Sequence, residues 1–173
     1  MRFHFSSSAV ELERIDSCYN PRMKTLGDPA TQREIRERVR QVAPDTPRQW
    51  GRMTAHQMIC HLADSFRGVL GEKTLSLVPV PLPRKIMKFI ALRLPMQWPH
   101  GLKTIPEIDQ HIGGTRPAEF AADVASLALL VVRFVSHSRT LGPTHPFFGP
   151  MAESDWMRWG YLHMDHHLRQ FGK

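Results

Sequence analysis

The sequence predicts an all-α fold: a four-helix bundle with a long, proline-rich connection between its second and third principal helices. Three observations lead there. Apolar residues recur at helical spacing in four long stretches, helix-start signals precede those stretches, and no segment sustains the period-two alternation of a strand. A chain of 173 residues is long enough to bury a sizeable core as one domain.

Residues 1–22 show no clear period and read as a loose N-terminal extension open to disorder, with Met23 a candidate start for the helical domain at 23–173. Asp28 and Pro29 then supply an N-cap and a first-turn proline. The helix they open is expected to reach about residue 42, with Ile35, Val39 and Val42 inward, before Pro44 and Pro47 end it. Thr54 and Gln57 form a capping box for a second helix, which should continue to about residue 70, where Gly71 can close it. Met58, Leu62, Phe66 and Val69 make its apolar side, His61 lies at the edge of that side, and His56 projects away.

Pro79, Pro81, Pro83, Pro95, Pro99 and Pro106 interrupt residues 72–114, although residues 84–94 can form a short basic, apolar helix. A third principal helix is expected over 116–137, capped by Thr115, with Leu127, Leu130, Val131 and Phe134 inside. A glycine- and proline-bearing connection leads to the last helix, from about residue 152 to 171.

That last helix carries the main functional signal. At 100° per residue, His163 and His167 stack one turn apart on a stripe shared with Trp156, Trp159 and Gln170, while Arg158, Asp165 and Arg169 fall on the other side. Imidazoles on an inward face are expensive to desolvate unless something binds them, and a divalent metal is a common partner. His61, His163 and His167 are thus candidate metal ligands, and three protein ligands would leave a position for water or substrate. The competing reading is satisfied core histidines, hydrogen-bonded to Gln170, Asp64 or backbone carbonyls. Gln170, His166 and Asp64 are candidate supporting residues around the ligands. For His4, His100, His111, His137 and His145, in loops or at helix ends, surface positions are expected.

Composition narrows the classes. Apolar residues make up 42% and charged residues 23%, as in an ordinary soluble protein. The net charge of +7 raises the question of anionic partners, but the basic residues are dispersed apart from clusters at 33–40 and 84–93, and no nucleic-acid motif accompanies them. Cys18 and Cys60 fit no disulfide framework, no signal peptide is visible, and the most apolar stretch is too short and too charged to span a bilayer. A cytoplasmic setting is the expectation.

The stretch from Met53 to Asp64, Met-Thr-Ala-His-Gln-Met-Ile-Cys-His-Leu-Ala-Asp, resembles the second-helix motif of the DinB-like superfamily of four-helix-bundle metalloproteins. His163-x-x-x-His167-x-x-Gln170-Phe171 resembles its closing motif, and His145-Pro146-Phe147-Phe148-Gly149 with Trp156 is similar to one branch, a domain of unknown function. The likeness spans from about Met23 to the C-terminus. It implies a divalent ion, zinc or nickel, on His61, His163 and His167, used in an intracellular enzyme. Such an enzyme would activate a low-molecular-weight thiol or water for transfer to, or hydrolysis of, a small molecule. The other class is a non-catalytic metal-binding or stress-response bundle. The expected partner is a small-molecule substrate, with no nucleic acid and no membrane contact. Pairing of two copies through an exposed helix face is allowed. Residues 83–94 are expected to act as a lid over the metal site, an interfacial membrane helix over the same residues being the disfavoured alternative, and the sequence leaves open whether the whole of 72–114 joins the lid.

Overall fold

Asp28 begins the first helix as the sequence anticipates, its carboxylate accepting hydrogen bonds from the amides of Ala30 and Thr31, with Pro29 at the first helical position. The computed structural model describes residues 23–173 apart from Pro143; the expected N-terminal extension, with His4 and Cys18, lies outside the described residues. Among the described residues there are five α-helices: α1 (Pro29–Arg40), α2 (Ala55–Val69), α3 (Arg84–Arg93), α4 (Phe120–Ser136) and α5 (Glu153–Gln170). The described residues are all-α apart from a two-residue antiparallel pairing, β1 (Thr144–His145) with β2 (Gly149–Pro150), in the turn before α5.

The capping box of Thr54 and Gln57 is present at the start of α2, and Gly71, at φ +79°, turns the chain just beyond its end. α4 starts four residues later than expected. Arg116 precedes a proline, which disfavours helical backbone there, and Glu119 caps the helix by accepting from the amides of Ala121 and Ala122. Thr115, expected as that cap, instead gives its amide and hydroxyl to Asp64.

α2 packs against α4 and α5, and α5 also contacts α1 and α3. Ile35, Val39, Met58, Leu62, Phe66, Val69, Leu127, Leu130 and Phe134 are all buried, as their periodicity requires, while Val131 is half-buried. At the centre Phe66, Phe134 and Trp159 meet at ring-centroid distances of 5.0, 5.8 and 6.1 Å, the tilted and edge-on contacts that aromatic quadrupoles favour. Gly160 forms a notch on α5: a methyl group there would lie 2.8 Å from Leu26 and 2.9 Å from Phe134.

Arg158, assigned by periodicity to the polar side, is buried. Its guanidinium donates to the carbonyls of Leu92 and Lys24, and thus joins α5 to α3 and to the segment before α1. At the start of α5, Asp155 is paired with both Lys88 and Arg93 of α3, which fixes that short helix to the body. No helix among the described residues is long and apolar enough to cross a membrane.

Candidate metal centre

α2 and α5 bring His61, His163 and His167 together. All three are buried, and one nitrogen from each ring lies within 4.8 Å of the others. Ring centroids stand 4.6 Å apart for His61 and His167, 5.3 Å for His61 and His163, and 4.9 Å for His163 and His167. The Nε2 atoms of His61 and His163 are separated by 3.3 Å. Two nitrogens each roughly 2.0–2.1 Å from one tetrahedral zinc ion stand about 3.3 Å apart, so this separation fits a shared ion.

Neighbouring groups set the protons. Nδ1 of His61 lies 2.8 Å from the carbonyl of Ile108, which can only accept, so in the neutral ring Nδ1 carries the proton and Nε2 keeps a lone pair. Gln170 does the same for His167: its amide nitrogen donates to the carbonyl of Trp50, which leaves Oε1 to accept from Nδ1 of His167 at 3.0 Å. Two carbonyl oxygens on different elements thus leave both Nε2 atoms basic, the arrangement found around metal-ligating histidines. The Nδ1 atoms of His163 and His166 are buried and have no hydrogen-bond partner among the described residues.

Burial is the main cause that lowers the pKa of His61, with the Ile108 hydrogen bond opposing it. It also holds His163 and His167 well below 6.5, and the neighbouring imidazoles push further in the same direction. All three rings are neutral at pH 7, the form that binds a cation.

The proline-rich connection covers this cluster, but α3 does not form the cover. Trp98 lies 6.2 Å from His163 and 6.0 Å from His166, and its indole nitrogen is tied to the carbonyl of Ala91. His100 stacks on Trp50 at 3.9 Å, and Trp50 meets His166 edge-on at 6.0 Å. The turn Pro106–Ile108 supplies the carbonyl for His61.

Of the supporting candidates, Gln170 contacts a cluster ring directly. His166 is buried 5.1 Å from His167, and burial, with Arg169 and His100 adding, lowers its pKa to about 4. Asp64 hydrogen-bonds none of the three imidazoles. It accepts from Thr115, Gln110 and Arg67 and pairs with Lys73. Burial would raise its pKa, but Thr115 and Lys73 outweigh that and hold it below the usual carboxylate value.

His145 departs from its expected surface position. It is buried, stacked on Phe148 at 4.5 Å, and accepts at Nδ1 from the amides of Phe147 and Phe148. Burial, helped by Arg84, lowers its pKa to about 3. His56 and Cys60 face α4, where Asp123 accepts from His56 at 2.7 Å and from Cys60 at 3.6 Å. Burial, followed by that carboxylate, pushes the Cys60 thiol up to about 12.

Periodicity missed Trp50, Gly51, Trp98 and Ile108. The contribution of Ile108 is a backbone carbonyl, which any residue type supplies. Trp50-Gly51 left a faint signal, a large aromatic beside a glycine in a loop without period.

No curated protein and no solved structure matches the chain. A family model described as "Protein of unknown function (DUF1569)" matches residues 34–173, which include α2, α5 and all three clustered histidines. The chain belongs to the DUF1569 family.

Proposed function

We propose that the protein is a metal-dependent enzyme of DinB-like type, in which α1, α2, α4 and α5 form the four-helix bundle and His61, His163 and His167 hold one divalent ion, zinc or nickel. The observation that carries this reading is the set of three buried, neutral imidazoles converging from two helices, two of them with Nε2 left basic by carbonyl partners. Such an ion supplies acidification of a bound water or thiol, so that a nucleophile exists at neutral pH.

The chain's own residues do the rest. Ile108 and Gln170 orient two ligand rings, and Trp98 with the stacked Trp50–His100 pair limits the access of water. His166, neutral at pH 7 and with Nδ1 unpartnered among the described residues, is the hydrogen-bonding group available to a small molecule entering beside His167. Asp64 is not the base, because its oxygens are already taken. Thiol transfer to an electrophilic small molecule is the first choice of chemistry and hydrolysis the second.

The burial of all three rings favours a second reading, a bundle that holds the ion for stability without turnover. Metal-loaded, untagged protein assayed with a panel of thiols and electrophiles separates the two. Turnover that disappears in His61→Ala supports the enzyme, whereas bound metal with silence across the panel supports the passive binder. Wild-type protein that takes up no metal overturns both.

A further inference from the structure

α3 is fixed to the body by one side and leaves the other uncovered. Leu92 is fully buried, and Lys88 and Arg93 reach Asp155 of α5. The outward stripe, within about 100° of the helix circumference, is Lys85, Ile86, Phe89 and Arg93. Ile86 is 48% exposed and Phe89 58% exposed. The preceding turn adds Leu82, also exposed. Trp98 lies against His163 and the Ile108 carbonyl against His61, so the connection reaches the metal site through residues other than this exposed apolar surface.

Charge narrows the choice of occupant. The ten residues of α3 include Arg84, Lys85, Lys88 and Arg93 and no acidic residue. Two copies meeting through this face would set like charges against each other. Beside Phe89 lies a recess of about 380 Å³, lined by Lys85, Lys88, Phe89, Arg93 and Asp155. Asp155 fixes two of the three cations, while Lys85 points no charge at an acid among the ion pairs of the described residues. A helix with cations flanking exposed aromatic and aliphatic side chains matches the boundary between lipid headgroups and acyl chains.

We propose that the outward face of α3 docks on an anionic phospholipid surface, with Phe89 and Ile86 entering the acyl boundary and Lys85 and the exposed edge of Arg93 meeting headgroup phosphates. This reverses the absence of membrane contact expected from the sequence. It is independent of the metal, because none of these residues touches the three histidines.

The test is co-sedimentation of full-length protein with vesicles of phosphatidylcholine alone or mixed with phosphatidylglycerol. Binding is expected to the mixed vesicles only, to weaken as salt rises, and to persist in His163→Ala. Lys85→Glu combined with Phe89→Ser, both at exposed positions, is expected to lower partitioning about tenfold or more while leaving the circular dichroism spectrum unchanged. Binding of millimolar inorganic phosphate, read by isothermal titration, in a protein that ignores vesicles would mark a free-anion site and overturn the proposal. So would equal binding to neutral vesicles, wild-type partitioning by the double variant, or concentration-dependent dimerisation that Phe89→Ser abolishes in a protein that ignores vesicles.

Discussion

The side-chain amide of Gln170 occupies the space that a side chain at Gly51 would need, and the carbonyl that holds this amide belongs to the neighbouring Trp50. Gly51 also has φ +78°, a backbone conformation that favours glycine. Gly51→Ala is therefore expected to displace Gln170 and release the proton acceptor of His167. Gln170→Ala should do the same more directly. Isothermal titration of metal into chelator-stripped protein should show affinity reduced about 10- to 100-fold in both variants. Wild-type affinity in both would remove the orienting role given to Gln170.

Replacing any one of His61, His163 or His167 with alanine should reduce bound metal from about one equivalent to well below half, measured by elemental analysis of untagged protein. His56→Ala serves as the control, since its ring faces Asp123 on α4, and should retain the wild-type content.

Asp64 is expected to matter for stability rather than chemistry. Removing its fully buried carboxylate leaves Thr115, Gln110, Lys73 and Arg67 without their common acceptor. Asp64→Ala should lose about 3–5 kcal/mol, read as a lower denaturant midpoint. Metal stoichiometry in the surviving folded fraction should not change.

Acid should destabilise the metal-free protein through His145. Its folded pKa is about 3, while an unfolded histidine titrates near 6.5. Above pH 6.5 neither state takes the proton. Below it the unfolded chain binds a proton that the folded chain refuses, so stability falls with pH across the window from 6.5 toward 3, by up to about 1.4 kcal/mol per pH unit. His145→Phe should flatten part of that slope in urea titrations at successive pH values. An unchanged slope would show that the ring is accessible to protons in the folded state.

Cys60 should resist alkylation in the folded protein, because its thiol is buried and raised to about 12. Peptide mapping after iodoacetamide treatment, with and without urea, checks this at Cys60 itself.

Those expectations draw unevenly on what was legible in the amino-acid order. Asp28-Pro29 and the Thr54–Gln57 box announced their helices because capping chemistry is local, and the Trp156–Gln170 stripe announced its inward face because helical geometry is periodic. The start of α4 was misplaced because Thr115 had a stronger partner in Asp64, a contact across 51 positions that no local rule contains. His145 was misjudged for a related reason. Its burial depends on Phe148, Trp156 and Trp159, and only the last two lie on a helix with a readable period. The three histidines and the supporting Gln170 were legible, but the carbonyl that orients His61 and the space that admits Gln170 were not, because Ile108 acts through its backbone and Gly51 acts by having no side chain.

Gly160 gives this dependence a mechanical form. The notch receives Leu26 and Phe134 one turn before His163, so it acts as an index mark for both the rotation and the depth at which α5 seats. A slip of one residue would swing His163 and His167 through about 100° and turn them away from His61. The aim of both imidazoles is thus set by a position that has no functional group of its own.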